Sequence, residues 1–380
     1  MIKVFAMKKM IYADNSATTQ LDIEAFESMK PYLLNEYGNP SQLYSFSKTP
    51  KKAIKESRKI IADCIGASPE EIYFTSGGTE SDNWAIKGCA LYPSEKNEII
   101  STAFEHHAVM NSCKAIEQQG YTIKYLYPNH NGLIETESLE KTLTEKTKLV
   151  SVMFANNELG TIQQIKSLCD TAHSKGSLFH CDAVQAVGHI KFNVSDLGVD
   201  LLSASAHKFN GPKGIGFLYI KKGTKILPLS NGGSQENDMR AGTENVAAIV
   251  GMATALKNNC DNLEKNISHI SKLETLFLEE MNKSNIEYSI NGYGEKLPGL
   301  ISIAFVGATG EALLHRLDLM GICVSTGSAC DSKNTQISHV LKAIGLNETL
   351  AKGTIRISFG KNNTKDDVLN IVNSLKKILL

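Results

Sequence analysis

Lys208 closes a short run, Leu201-Leu202-Ser203-Ala204-Ser205-Ala206-His207-Lys208, and stands before the glycine-rich turn Phe209-Asn210-Gly211-Pro212-Lys213-Gly214. A lysine leaving the end of a buried strand loses hydration. That lowers its ammonium pKa and exposes the neutral amine that forms Schiff bases with carbonyl compounds. Most lysines are solvated surface residues, so the run alone does not decide its role. Two further features bear on it. Asp182 ends a second short apolar run, Phe179-His180-Cys181-Asp182, and offers a carboxylate at a strand terminus. Upstream, Glu71-Ile72-Tyr73-Phe74-Thr75-Ser76-Gly77-Gly78-Thr79-Glu80 reads as a strand, two glycines and a hydroxyl that open a helical stretch through Trp84 and Leu91. Backbone N–H groups at such a helix start, with the Thr79 hydroxyl, suit a phosphate dianion. Phosphate cup, carboxylate and reactive lysine, met in that order, are what pyridoxal phosphate requires: the lysine binds it and the carboxylate keeps its ring nitrogen protonated.

Cys330 brings a second chemistry. It sits in Thr326-Gly327-Ser328-Ala329-Cys330-Asp331-Ser332-Lys333-Asn334-Thr335-Gln336, a polar run that reads as an exposed, mobile loop. A free cysteine ordinarily packs as a small hydrophobe. That suits Cys323, between Ile322 and Val324, but not Cys330. A thiol on such a loop can enter a site, attack a sulfur atom and carry it out as a persulfide. A base or nearby cation must help form the thiolate.

These groups need a framework, and the pattern along the chain supplies an α/β one. Short apolar runs alternate with longer amphipathic ones, as in a mainly parallel sheet. Strands are expected at Ile72–Thr75, Glu98–Ser101, Thr122–Leu126, Leu149–Phe154, Leu178–Cys181, Leu201–Ser203 and Gly216–Ile220, with helices near 50–65, 79–91, 108–119, 164–175 and 244–258. The Lys/Asn-rich stretch from about 257 to 296 predicts a long connecting helix into a second, smaller domain. That domain has expected strands near 300–305, 322–325 and 354–359 and helices near 310–319 and 365–378. The chain has 380 residues, enough for two domains. Its 40 basic and 40 acidic residues balance, which argues against a nucleic-acid or anionic-membrane surface. Eight cysteines without a C-x-x-C pair argue against a structural zinc site and a disulfide framework, and for a reducing compartment. The apolar start is too short for a signal peptide, and no stretch is long and apolar enough to span a bilayer.

Several residues carry two readings. His106 is followed by His107, so a metal pair is conceivable, yet neighbours on one element point apart and no third ligand is obvious. Only one of Asn156 and Asn157 can face a common ligand. Arg356 is the residue type of both a carboxylate clamp and a structural ion pair. His180 reads as a satisfied core histidine at a strand end.

From about Ile11 to Gly360 the chain resembles the class V aminotransferase-like enzymes, and within them the cysteine desulfurases of the NifS/IscS type. The markers are IYADNSATT (11–19), FTSGGTESDN (74–83), EHHAV (105–109), ANNELGTIQ (155–163), HCDAVQAVG (180–188), SASAHKFNGPKG (203–214), RAGTENVAAIVG (240–251), STGSAC (325–330), SHVL (338–341) and TIRISFG (354–360). The resemblance implies a fold type I pyridoxal-phosphate-dependent transferase, with a mainly parallel seven-stranded sheet in a large domain (16–258). The small α/β domain would comprise 1–15 and 259–380 and carry the cysteine loop, about 326–338.

The resemblance also implies roles. Lys208 would bind the cofactor aldehyde, Asp182 would pair with the ring nitrogen, Gln185 would bond the phenolic oxygen and His106 would lie over the ring. Gly78, Thr79, Ser205 and His207 would hold the phosphate, and Thr243 would reach the phosphate of the neighbouring subunit of a homodimer. Asn157 would sit between cofactor and substrate carboxylate, which Arg356 would clamp. Cys330 would take sulfur from L-cysteine, leaving L-alanine, with His106 moving a proton nearby. No resident metal is implied, although Cys330 could ligate a passing iron–sulfur cluster. The acceptor would be an iron–sulfur scaffold or a tRNA-thiolation enzyme, in the cytoplasm. Other enzymes of this fold, a selenocysteine lyase or an aminotransferase, would dispense with the persulfide relay, and a scaffold protein would lack turnover altogether. The spacing of Cys330 from His339 matches the long-loop branch. Tyr44, Ser234, Asp238 and the pair Gln336-Ile337 depart from residues usual in the family, the middle two from glycine.

Overall fold

The computed structural model describes residues 10–326 and 337–380. Seven strands form the main sheet: β2 (Ile72–Thr75), β3 (Glu98–Thr102), β4 (Thr122–Leu126), β5 (Thr147–Ser151), β6 (Leu178–Asp182), β7 (Leu201–Ser205) and β8 (Gly216–Ile220), while β1 (Ile11–Tyr12) lies outside it. Their order is β2-β8-β7-β6-β5-β3-β4. All neighbours run parallel except β8, which is antiparallel to β7 and to β2. The central strands are buried at every position of β3, β5 and β7. Such strands need helices on both faces.

Those helices come from the same stretch of chain: α1 (Ile23–Leu34), α2 (Lys48–Ile65), α3 (Gly78–Leu91), α4 (His107–Glu117), α5 (Thr136–Thr142), α6 (Ile165–Ser174), α7 (Val194–Leu197) and α8 (Val246–Asp261). One core packs α2, α6 and α8 on the sheet through Ile61, Leu168, Phe179 and Met252. The opposite core packs α3 and α4 through Trp84, Ile86 and Val109. Trp84 is fully buried, and its ring N–H donates to the Leu227 carbonyl at 2.9 Å.

A third core, around Phe277, Ile303 and Ile357, belongs to a smaller sheet. Here β9 (Tyr288–Asn291), β10 (Leu300–Phe305) and β12 (Thr354–Ser358) pair antiparallel, and β1 pairs in parallel with β11 (Ile322–Cys323). The covering helices are α9 (Leu263–Asn282), α10 (Gly310–Leu319) and α13 (Lys365–Leu379), with short α11 (His339–Ala343) and α12 (Glu348–Lys352) alongside. A capping box of Thr364 and Asp367 opens α13. Among the described residues, no helix is long and apolar enough to cross a membrane.

Three expectations need correction. The strand expected at Leu149–Phe154 is Thr147–Ser151, because Lys148 hides its ammonium on the carbonyls of Ala90 and Tyr92 and so continues a buried strand. The connecting helix expected over about 257–296 is α9, Leu263–Asn282, set apart from α8 at Asn262, and the rest of that stretch holds β9. The strand expected over 322–325 ends at Cys323. Ser325 makes only an isolated antiparallel bridge to Arg356.

Candidate active site

At the carboxyl ends of β5, β6 and β7 lies a cavity of about 280 Å³. Its wall contains Gly78, Thr79, His106, Asn157, Asp182, Gln185, Ser205, His207, Lys208 and Arg356. Thr243 is exposed and does not line it, and Cys330 lies outside the described residues. Asn157 faces the cavity. Its neighbour Asn156 is turned inward, donating to the Phe104 carbonyl at 3.0 Å and accepting from the amides of Glu158 and Leu159.

One end of the cavity is built by the start of α3. Gly77 has φ +146°, and a Cβ on Gly78 would meet Val184 Cγ2 at 2.7 Å, so both positions require glycine. No side chain caps this helix, so its first N–H groups stand without a side-chain acceptor at a cavity wall that includes Thr79 and Ser205. Uncapped amides, two hydroxyls and an imidazole form a cradle that fits a phosphate.

The other elements are set by strand ends. Lys208 leaves β7 through a single 3₁₀ turn, Ala206–Lys208. Its Nζ donates to the carbonyl oxygens of Ser16 at 2.5 Å and Ala17 at 2.9 Å. Asp182 is buried and accepts the Val184 N–H at 3.0 Å. Burial pushes its carboxyl up to about 6, opposed by the Val184 N–H and the Lys208 charge. Beneath it, the fully buried Asp82 is raised well above the usual carboxylate range by burial and then by Asp182. One oxygen of Asp82 has no hydrogen-bond partner. Of the two carboxyls Asp82 is the more strongly raised, so a shared proton favours Asp82 and the charge favours Asp182, where a cationic ring nitrogen would find it. This arrangement also fits pyridoxal phosphate.

Both cavity histidines are neutral near pH 7. Burial, reinforced by the charge of Lys208, lowers His106 and His207 to about 4. His106 caps α4, its Nδ1 accepting the Ala108 N–H at 3.1 Å, which puts the ring proton on Nε2. The His180 ring is bonded on both nitrogens, to the hydroxyls of Ser151 and Ser203, as a core histidine should be. Gln185 donates to the Ser16 carbonyl at 3.0 Å.

Arg356 is buried with its two terminal nitrogens engaged. Nη1 donates to the Asn157 carbonyl at 2.8 Å and Nη2 to Asp14 Oδ1 at 2.7 Å. The ion pair is thus present, and the two-pronged fork that a carboxylate clamp would offer is reduced. Ser16, Ala17, Asp82 and Ser325 also line the cavity, and Asp14 joins it through Arg356, all without an expected role. Their signal was present in the motifs at 11–19, 74–83 and 325–330, but side-chain direction decides their part. Ser338 and His339 are also fixed here: Ser338 donates to Glu158 at 2.6 Å, and the His339 ring bonds the Glu105 carbonyl at 2.9 Å.

Comparison with known proteins agrees with this geometry. The aminotransferase class-V family profile matches residues 11–371. A curated cysteine desulfurase IscS of Dictyoglomus turgidum is 48% identical, over 98% of this chain and 95% of that protein. Among solved structures, a NifS-like protein superposes with a TM-score of 0.92 at 37% identity, covering 98% of this chain and 99% of the other. SspA, solved in complex with cysteine, superposes with a TM-score of 0.83 at 34% identity, covering 93% and 100%.

Proposed function

Because the chain belongs to the aminotransferase class-V family, as a pyridoxal-phosphate-dependent cysteine desulfurase, we propose that its residues divide the conversion of L-cysteine to L-alanine as follows. The bound cofactor supplies an electron sink for the pair released when the substrate Cα–H bond breaks. The α3 terminus, Thr79, Ser205 and His207 would hold its phosphate, Asp182 would hold positive charge on its ring nitrogen, and Gln185 would bond its phenolic oxygen. Lys208 would anchor it covalently, and its amine is the group placed to move the substrate Cα proton. Its two carbonyl acceptors at Ser16 and Ala17 hold the free ammonium ready. Arg356 and Asn157 orient the substrate carboxylate.

Sulfur leaves through Cys330. Its thiolate forms an S–S bond to the substrate sulfur as the substrate Cβ–S bond breaks. The electron pair of that bond stays on carbon and is protonated, giving alanine and a persulfide on Cys330. His106, neutral with its proton on Nε2, is the group placed to exchange a proton with substrate sulfur or Cys330. The persulfide then passes to an acceptor protein, an iron–sulfur scaffold or a tRNA-thiolation enzyme.

The working unit in this reading is a homodimer whose Thr243 completes the phosphate site of the partner. Supporting it, α1 and the segment after it expose Ile23, Leu33, Leu34, Tyr37 and Leu43, an unusually apolar surface in one stretch. We place the enzyme in the cytoplasm, where thiols stay reduced; all seven cysteines among the described residues are free. The large domain spans 16–258 and the small one the rest.

The observation that carries the proposal is the convergence of Lys208, Asp182, the uncapped α3 and Arg356 on one cavity. Purified holoenzyme given L-cysteine and a thiol reductant should release alanine and sulfide in equal amounts. Alanine formation without sulfide, or keto-acid formation, would refute it.

A further inference from the structure

We propose that the Ser325 hydroxyl is a substrate-positioning group, sharing with Arg356 the carboxylate of the bound amino acid. Ser325 and Arg356 face each other in an antiparallel bridge, the Ser325 N–H donating to the Arg356 carbonyl at 3.0 Å and the reverse bond measuring 2.6 Å. Residues opposed in this way send their side chains to the same face. Both line the cavity that contains Lys208 and Asn157.

The side chains share an unusual property. Ser325 is 2% exposed and Arg356 5%, yet Ser325 Oγ and Arg356 Nε have no hydrogen-bond partner. Folded proteins rarely leave buried polar atoms unpaired, because each costs its full desolvation. Two such atoms on facing residues of one cavity wall mark a place that a ligand completes. Nε can only donate, and a serine hydroxyl can donate beside it, so the ligand group is an acceptor; the guanidinium charge makes it an anion. The other guanidinium nitrogens are fixed by Asn157 and Asp14, so the hydroxyl supplies a donor in place of one the arginine no longer offers freely. That the anion is an amino acid's carboxylate rests on the desulfurase reading.

The test compares wild-type and Ser325→Ala holoenzymes for two inert ligands. One is L-alanine; the other is ethylamine, which is L-alanine without its carboxylate. Binding is followed by the visible spectrum of the bound cofactor, KM and kcat for L-cysteine are measured alongside, and thermal unfolding reports integrity. Ser325→Ala should weaken L-alanine binding roughly tenfold, the effect of one hydrogen bond to a charged group. It should raise KM for L-cysteine by a similar factor, with kcat changed far less, and leave ethylamine unaffected. Ser325→Gly removes the same hydroxyl without adding bulk and should behave alike should the alanine variant misfold. Unchanged L-alanine affinity in the variants, or equal losses for both ligands, overturns the role of Ser325 and leaves the desulfurase reading intact. A wild-type enzyme that does not prefer L-alanine to ethylamine overturns the carboxylate site itself, and the proposal with it.

Discussion

Lys208 Nζ lies 2.5 Å from the carbonyl oxygen of Ser16, a residue whose own amide donates to Ser358 Oγ at 2.9 Å. The reactive amine at the end of β7 is therefore tied to the smaller sheet through a single residue. Two carbonyl acceptors stabilise an ammonium and cannot stabilise a neutral amine in the same way, so the lysine must leave them to engage a carbonyl carbon.

Lys208→Ala should consequently bind pyridoxal phosphate only reversibly. Gel filtration should strip the cofactor, and borohydride should no longer fix it to the peptide. Alanine production should fall by about three orders of magnitude or more, as for loss of a group acting both covalently and in proton transfer. Cofactor that remains irreversibly fixed by borohydride in the variant would place the attachment elsewhere.

Cys330→Ala should retain cofactor and L-cysteine binding but yield almost no alanine or sulfide, since the nucleophile acts only in the chemical step. Cys323→Ala is the control. Cys323 is half-buried, its thiol is directed at Met10 Sδ at 3.4 Å, and burial raises its pKa. That variant should lose about 1 kcal/mol of stability and keep its activity. Mass analysis after L-cysteine should find the extra sulfur on the Cys330 peptide. Wild-type turnover in Cys330→Ala would end the relay.

In the cofactor-free protein, the His106 imidazole should not titrate between pH 5 and 8, because burial and then the Lys208 charge hold it at about 4. Lys208→Ala removes the second cause and keeps the first. The pKa should rise yet stay below the ordinary value of 6.5. Ring-proton NMR of the two apoproteins measures this directly. A fall in pKa on removing the lysine would contradict the electrostatic account.

Glu236 holds Arg58 through two bonds of 2.5 and 2.8 Å and also accepts the Phe74 N–H at 2.8 Å, nearly out of solvent. Glu236→Ala removes the carboxylate from a partly buried guanidinium that keeps the Ile72 carbonyl, strands the Phe74 amide, and should cost about 2 kcal/mol in denaturant unfolding. Two residues on, Asp238 sits at φ +64°. A left-handed backbone of this kind favours glycine. Asp238→Gly should stabilise by up to about 1 kcal/mol. Ser234, at φ −82°, carries no such strain.

The paired substitution Leu33→Glu with Leu34→Glu places two charges on the exposed apolar side of α1. Sedimentation should show a dimer for wild type and a monomer for the variant, with weakened cofactor retention because Thr243 no longer reaches its partner. A variant that stays dimeric would move the interface elsewhere.

Much of this was legible in the residues. Apolar runs bounded by turns placed β2, β4 and β8 at their observed limits, and strand ends placed Asp182 and Lys208 on one cavity. The misses have physical causes. Lys148 reads as solvent-facing yet is buried on two carbonyls. Val152 and Phe154 still donate to the His180 and Asp182 carbonyls of β6, so the apolar run continues the ladder although the regular strand ends at Ser151. Helix α1 went unseen because its apolar residues face outward as well as inward, which erases the periodic contrast. Asp14 and Ser325 took their roles from contacts with Arg356, a partner far away in sequence. No local pattern encodes that.

The strand order has one last consequence, for amide exchange. β5, β6 and β7 lie inside the sheet with a neighbour on either side, so their N–H groups exchange with solvent only in the rarest openings, while β4 at the rim opens first. Asp182 and the turn bearing Lys208 hang from those slowest strands. The floor of the reaction chamber is thus the last part of the protein to come apart, and fraying at the rim leaves it standing.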